Sequence, residues 1–163
     1  MIPGGEVKLN ELYQEVILDH NKRPRNFKKI EGANACSHGK NPLCGDDFYL
    51  YLNKDAQGII REAGFIGQGC AISKSSASIM MSLIEGKGAA EAEKLKDAFI
   101  RFLTAESVDE ALRAEVGKLK IFEGVRNFPV RVKCAALIWR TLEDALKNNG
   151  AHEVSTENEE TNQ

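Results

Sequence analysis

Apolar positions recur along the chain with two different periods, which predict helices and strands respectively. A spacing of three and four residues over Leu9–His20 predicts an amphipathic helix. The same spacing predicts a helix that follows Cys70 and ends at Gly86, a helix over 89–105, and a last helix over 130–147. The stretch between the last two is less regular, and we expect a helical turn and a connector there.

A period of two predicts the strands. Phe48, Leu50 and Leu52 alternate with more polar neighbours, as in a half-buried strand, and 59–66 returns as a second strand after the turn NKDAQG. A short edge strand is expected over 33–36, within a segment rich in Gly, Asn and Ser. The predicted fold class is α+β, with a small antiparallel sheet of about three strands packed against several helices.

Chain length and composition predict one folded unit. A chain of 163 residues forms a single domain most simply, and we place that domain at residues 1–148. Residues 149–163 are polar and acidic and offer almost nothing to bury, so they are predicted to be a disordered acidic tail.

The charge balance excludes some partners. The net charge is −2 and no basic stripe with interleaved aromatic residues is present, so we expect no nucleic-acid partner. No apolar run approaches the roughly 20 residues that a membrane helix needs, so we expect no membrane partner. The first residues lack the pattern of a signal peptide, and we expect a cytoplasmic protein.

Three of the four cysteines lie where predicted elements begin. Cys44 is in the loop before the first strand of the hairpin, Cys70 is at the junction from strand to helix, and Cys134 is near the start of the last helix. Cysteines in a reducing compartment serve as metal ligands or nucleophiles, or they fill space in the core. A cysteine that only packs has no reason to prefer the ends of elements.

Asp46 adds an electrostatic problem that a metal ion would solve. A carboxylate beside a thiol raises the thiol pKa by repulsion unless a cation lies between them. Three thiolates and one carboxylate would meet the tetrahedral demand of Zn²⁺. The chain contains no C-x-x-C pair, however, so spacing alone leaves both a metal site and simple packing open.

Three segments resemble the U-type iron–sulfur biogenesis proteins, which comprise IscU-type scaffolds, the amino-terminal domain of NifU, and SufU-type proteins. The segments are NPLCGDDFYLYL, GFIGQGCAISKSSASIMMSLIEGK and FPVRVKCAALIWRTLEDAL, and the likeness extends from the first helix to about Lys147. Two features resemble the SufU branch. Lys133 stands where IscU-type scaffolds carry a histidine, and the segment 88–126 is longer than in those scaffolds.

The resemblance implies a ligand set and a reaction. Cys44, Asp46, Cys70 and Cys134 would bind one zinc ion. Cys44 would accept sulfur as a persulfide from a pyridoxal-phosphate cysteine desulfurase of the SufS type, and the sulfur would pass to the downstream iron–sulfur assembly machinery. The protein would then be a zinc-dependent sulfurtransferase. Two alternatives use the same ligands, namely a scaffold that carries a transient iron–sulfur cluster and a structural zinc module.

The remaining candidates have smaller predicted roles. Arg131 and Lys133 are expected to support the anionic cluster electrostatically. Cys36 is expected to be a spare thiol in a loop near His38, and His20 to cap the first helix or lie in solvent. The serines after Cys70 are expected to allow close helix approach rather than catalysis; they are Ser73, Ser75, Ser76 and Ser78.

Overall fold

A four-stranded sheet and five α-helices make up the fold in the computed structural model, which describes residues 3–148 and 153–156. The strand order is β3-β2-β1-β4. The elements in chain order are α1 (Pro3–Lys22), β1 (Ala35–Asn41), β2 (Asp46–Lys54), β3 (Ile60–Gln68), α2 (Ala71–Ile84), α3 (Ala89–Thr104), α4 (Glu110–Val116), a 3-10 helix (Gly117–Asn127), α5 (Pro129–Asn148) and β4 (Glu153–Ser155). The α+β fold class predicted from the sequence is confirmed.

The hairpin of β2 and β3 forms as the alternating pattern predicts. The two strands pair antiparallel, and Leu50 lies opposite Phe65. Phe48, Leu50 and Leu52 are fully buried, whereas Tyr49 between them is exposed. The alternation therefore gives the sheet one face against the core and one face toward solvent.

Strand β1 is longer than the predicted edge strand over 33–36 and runs from Ala35 to Asn41. The signal is weak because the buried face of β1 carries small or polar residues instead of large apolar ones. Gly39 lies against α5 so closely that a Cβ there would overlap Thr141 Oγ1. On the same face Ser37 Oγ donates to Asp144 Oδ2 on α5 at 2.6 Å. Small side chains thus bring β1 and α5 together.

Strand β4 was not expected, because the sequence predicts disorder over 149–163. Residues 153–155 instead pair parallel with β1, with His38 opposite Glu153 and Lys40 opposite Ser155. The sheet is therefore mixed and has four strands instead of about three. Backbone hydrogen bonds to an open strand edge do not require an apolar pattern, so β4 is hard to detect from its residues alone. Thr156 follows β4 and is buried, and residues 149–152 and 157–163 of the predicted tail lie outside the described residues.

Helices α2 and α5 meet through a buried serine. Ser76 Oγ donates to the backbone carbonyl of Ala135 at 2.7 Å and accepts from Trp139 Nε1 at 3.1 Å. Ser73, Ser75, Ser76 and Ser78 are all buried, as expected for close helix approach. This contact fixes the start of α2 relative to the turn of α5 that carries Cys134.

The irregular stretch after α3 contains α4 and the 3-10 helix, where the sequence predicts a helical turn and a connector. Phe122 of the 3-10 helix packs edge-on against Phe99 of α3, and Phe99 also packs against Trp139 of α5. The buried apolar residues of sheet and helices form one continuous core. Within the described ranges, no helix has the length and apolar character needed to cross a membrane.

Candidate metal centre

The tight turn between β1 and β2 presents Cys44 and Asp46. The Cys44 N–H donates to the Asn41 carbonyl at 3.2 Å, which closes the turn. Gly45 has φ of 73°, a left-handed conformation that glycine adopts without steric cost. The turn leaves Cys44 exposed and directs Asp46 inward, where only 2% of its surface is accessible.

Cys70 is the N-cap of α2. Its extended backbone, with φ −71° and ψ 169°, lets its sulfur accept from the Ser73 N–H at 3.5 Å. The backbone N–H of Cys70 donates to Asp46 Oδ1 at 2.9 Å and so ties the start of α2 to the β1–β2 turn. A helix N-terminus carries partial positive charge, which favours a thiolate at this position.

Cys134 enters the site from α5. It lies in the second turn of that helix and is almost fully buried, with 1% of its surface accessible. Its Sγ is 3.1 Å from Cys44 Sγ and accepts from Asn41 Nδ2 at 3.4 Å. Pairing of α5 with α2 and with β1 thus brings Cys134 to the same turn that carries Cys44 and Asp46.

Three of the four predicted ligands converge closely. One ligand atom from each of Cys44, Asp46 and Cys134 lies within 4.8 Å of the others. Cys70 is not in that close group, and its sulfur contacts Ser73 Oγ at 3.6 Å. It is joined to the group through the Asp46 carboxylate and through an interaction with the Cys134 thiol.

The protonation of the site reflects this crowding. The interaction with Cys134 is the largest cause that lowers the Cys70 pKa to about 6, and hydrogen bonds from Ser73 act in the same direction. The pKa of Cys134 is raised, first by the partnership with Cys70, then by burial, and further by Cys44 and Asp46. The protein alone therefore favours one thiolate and one thiol, and a cation is required to hold both as thiolates.

The donor set fits a tetrahedral metal ion. Two thiolates on one zinc ion, each about 2.3 Å from it, are separated by about 3.8 Å. The observed separation of 3.1 Å between the sulfurs of Cys44 and Cys134 is shorter than this zinc-bound separation by less than 1 Å. Because Cys44 is in an exposed turn, it can move by that amount without disturbing the core.

The two predicted supporting cations lie near Cys134 on α5. Arg131 is exposed and its guanidinium lies over the Phe128 ring, 4.9 Å from the centroid. Lys133 is half-buried and adjacent to Cys134. Their electrostatic support of the ligands stays a prediction.

Cys36 and His38 lie outside the candidate site. Both are on β1, not in the loop expected from the sequence, and they alternate with the residues that face α5. Cys36 is opposite Tyr51 in the sheet. The His38 ring stacks on Tyr49 at a centroid distance of 4.1 Å, and its Nε2 lies 2.6 Å from an Asp47 oxygen.

His20 also differs from the expectation of a helix cap or a solvent-exposed ring. Its Nδ1 lies 2.7 Å from Ser78 Oγ on α2. Burial is the main cause that lowers the His20 pKa from 6.5, and the charge of Arg25 adds to it. The ring therefore favours the neutral form and joins two helices.

Sequence reasoning missed three polar residues around the ligands. Asn41 donates to Asp46 and Cys134, Ser73 binds the Cys70 sulfur, and Thr156 Oγ1 donates to Asn41 Oδ1 at 3.2 Å. The first two had a detectable signal, since each lies three residues from a candidate cysteine in a turn or capping position. Thr156 had none.

Comparison with known proteins identifies the family. The model of the NifU-like N terminal domain matches residues 12–135. An iron–sulfur cluster assembly scaffold protein IscU of Streptococcus pyogenes is 36% identical over 142 residues, 87% of each chain. The zinc-dependent sulfurtransferase SufU of Bacillus subtilis is 37% identical over 138 residues, 85% of this chain and 91% of the relative.

A solved structure agrees in fold and sequence. A putative iron–sulfur cluster assembly scaffold protein for the SUF system from Fervidobacterium islandicum superposes with a TM-score of 0.76 at 37% identity. The match covers 85% of this chain and 98% of that chain. The resemblance inferred from the three sequence segments is confirmed. This chain belongs to the NifU-like N-terminal domain family, the IscU and SufU proteins of iron–sulfur cluster assembly.

Proposed function

We propose that this protein is a zinc-dependent sulfurtransferase in which Cys44 accepts persulfide sulfur from a SufS-type cysteine desulfurase. The observation that supports this proposal most strongly is a difference in exposure. The sulfurs of Cys44 and Cys134 are 3.1 Å apart, but Cys44 is exposed and Cys134 is almost fully buried. One candidate ligand is thus reachable by another protein while its neighbour is not. The name of the Bacillus subtilis relative supports the same assignment.

The proposed resident metal is one zinc ion held by Cys44, Asp46, Cys70 and Cys134. Zinc is a borderline-soft ion that binds thiolates and carboxylates with tetrahedral geometry, and it would keep the thiols deprotonated. Asp46, Cys70 and Cys134 are each fixed by other contacts of the fold. Cys44 is on an exposed turn, so it is the ligand that can leave the group with the smallest disturbance.

The transfer itself is a displacement at sulfur. The Cys44 thiolate attacks the terminal sulfur of the persulfide on the desulfurase. A sulfur–sulfur bond to Cys44 forms as the sulfur–sulfur bond of the donor breaks, and the donor cysteine leaves as a thiolate. The number of sulfur–sulfur bonds is unchanged, so the step requires no oxidant or reductant. A second thiolate then takes the sulfur from Cys44 in the same way, and this delivers it to downstream assembly proteins.

A scaffold for an iron–sulfur cluster is the second candidate function. Thiolates hold such clusters, and the relative from Streptococcus pyogenes carries the scaffold name. Metal content and the absorption spectrum of protein purified without air distinguish the two. Colourless protein with one zinc per chain supports transfer, and brown protein that contains iron and sulfide supports a scaffold.

The transfer role has a direct test. The zinc-loaded protein is incubated with a SufS-type desulfurase and cysteine, and the peptide that contains Cys44 is analysed by mass spectrometry. We expect a mass gain of one sulfur atom at Cys44, in Cys36→Ser as in the wild type. Cys44→Ser should accept no sulfur. Sulfur uptake by Cys44→Ser would refute Cys44 as the acceptor. A wild-type chain that takes up no sulfur would refute sulfur transfer and leave the scaffold and the structural zinc module.

A further inference from the structure

The amide of Asn41 connects the candidate ligands to the C-terminal strand. Asn41 is fully buried at the end of β1. Its Nδ2 donates to Asp46 Oδ2 at 3.3 Å and to Cys134 Sγ at 3.4 Å. A single amide group therefore contacts two of the proposed ligands, which come from different elements of the fold.

The oxygen of the same amide has two donors. The Leu43 N–H donates to Asn41 Oδ1 at 3.3 Å, and Thr156 Oγ1 donates to it at 3.2 Å. A backbone N–H can only donate and a carboxylate can only accept. The Leu43 N–H therefore faces the amide oxygen of Asn41, and the Asp46 carboxylate faces the amide nitrogen. The amide is thereby oriented with its nitrogen toward the ligands.

Thr156 differs from Leu43 because it belongs to a remote segment. It follows directly after β4 and is 115 residues from Asn41 in the chain, and only 3% of its surface is accessible. Strand β4 has three residues and pairs with the last part of β1, the strand that ends at Asn41. The position of β4 and the orientation of the Asn41 amide are therefore linked through one buried hydroxyl.

We propose that Asn41 and Thr156 are positioning residues that couple docking of β4 to the metal-binding state of Asp46 and Cys134. The inference rests on the proposed metal site. A hydrogen bond to a ligand fixes its orientation and stabilises its charged form, so loss of an outer partner weakens metal binding. Thermodynamic linkage makes the effect reciprocal, and metal binding stabilises docked β4 by the same factor.

The coupling also distinguishes the ligands from one another. Asp46 and Cys134 receive hydrogen bonds from Asn41, and Cys70 receives them from Ser73. Among the residues described, Cys44 Sγ has its hydrogen bond only with the Cys134 sulfur. Hydrogen bonds from Asn41 thus position Asp46 and Cys134, and Cys44 is the sulfur that the protein restrains least.

The test measures zinc affinity of the full chain by competition with a chromogenic chelator. Thr156→Val removes the hydroxyl at constant shape and should weaken zinc binding about fivefold, the effect of one hydrogen bond. Asn41→Ala should weaken it about ten- to hundredfold. Because Thr156 acts through Asn41, Thr156→Val should add no further loss in the Asn41→Ala background. Thr156→Ser keeps the hydroxyl and should restore wild-type affinity.

Hydrogen exchange of the amides at 153–156 gives a readout that is independent of sulfur transfer. Zinc should slow their exchange about fivefold in the wild type and should have no effect on it in Asn41→Ala. Wild-type affinity in Thr156→Val, or an equal loss from Thr156→Val in both backgrounds, would overturn the coupling alone. A wild-type chain that takes up no zinc would overturn the proposed function as well.

Discussion

Gly69 is the glycine whose substitution tests the geometry of the site most sharply. It precedes Cys70, and a Cβ added there would lie 2.5 Å from Ser73 Oγ, 2.8 Å from Asp46 Oδ1 and 2.8 Å from Phe48 Cζ. Ordinary contacts of a Cβ begin at 3.4 Å, so each of these atoms must retreat by about 0.6–0.9 Å. Of these residues, Asp46 is a proposed ligand, and Ser73 forms hydrogen bonds with the proposed ligand Cys70.

The energetic cost of Gly69→Ala follows from two opposing effects. Gly69 is itself exposed, but the side chains that the new Cβ would meet are buried, and overpacking against buried side chains costs about 1–3 kcal/mol. The loss of backbone freedom in the unfolded chain returns about 0.4–1 kcal/mol. The net destabilisation is therefore about 0–2.6 kcal/mol, which lowers the melting temperature of a chain of this length by at most about 10 °C. The protein should still fold.

Metal binding should suffer more than stability. Displacement of Asp46 Oδ1 and Ser73 Oγ disturbs one ligand and the hydrogen bonding of Cys70, and a disturbance of this kind costs about ten- to hundredfold in affinity. Zinc competition and chemical denaturation measure the two effects separately.

Gly124→Ala is the matched control. Among the residues that the structure describes, none outside the local chain has an atom within 4 Å of a Cβ at Gly124, and the φ of Gly124 is not positive. The control should leave zinc affinity unchanged. Wild-type zinc affinity in Gly69→Ala, or an equal loss in Gly124→Ala, would refute the placement of Asp46 and Ser73 beside Gly69.

Two further predictions concern the helices that support the site. Ser76→Ala leaves the buried Trp139 N–H without its acceptor and should lower the free energy of unfolding by about 1–3 kcal/mol in urea titrations. The control is Ser82→Ala, whose hydroxyl donates to the Ile79 carbonyl on its own helix, and it should change the free energy of unfolding by less than about 0.5 kcal/mol. Equal losses in the two variants would contradict the bridging role of Ser76. Burial lowers the His20 pKa from 6.5, so the unfolded chain binds the proton more readily, and stability should fall as the pH drops below about 6.5. The melting temperature of His20→Gln should depend less on pH in that range, and parallel profiles for the two proteins would contradict this account.

Large apolar residues made part of the fold predictable. Phe48, Leu50 and Leu52 gave β2 a clear period of two, and the last helix was placed within a residue of its observed bounds. Strand β1 was only partly predicted, because its inward face is built from Ala35, Ser37, Gly39 and Asn41. Packing against α5 defines that face, and a residue pattern that lacks large apolar side chains does not reveal it.

The candidate site was also predictable only in part. Cysteines at the ends of elements and the adjacent Asp46 were detectable as candidates in the sequence, and three of the four ligand candidates converge within 4.8 Å. The hydrogen bond from Thr156 to Asn41 could not be predicted from the sequence. It joins residues 115 apart, and the strand that precedes Thr156 has no apolar pattern. Contacts of this kind depend on register across the sheet, which the sequence does not display.

X-ray absorption at the zinc edge, on protein purified without air, is the decisive measurement for the proposed zinc site. We expect one zinc per chain with three sulfur ligands at about 2.3 Å and one oxygen ligand at about 2.0–2.2 Å, and loss of one sulfur ligand in Cys44→Ser. A zinc site without sulfur ligands, or one whose ligands are unchanged in Cys44→Ser, would contradict it.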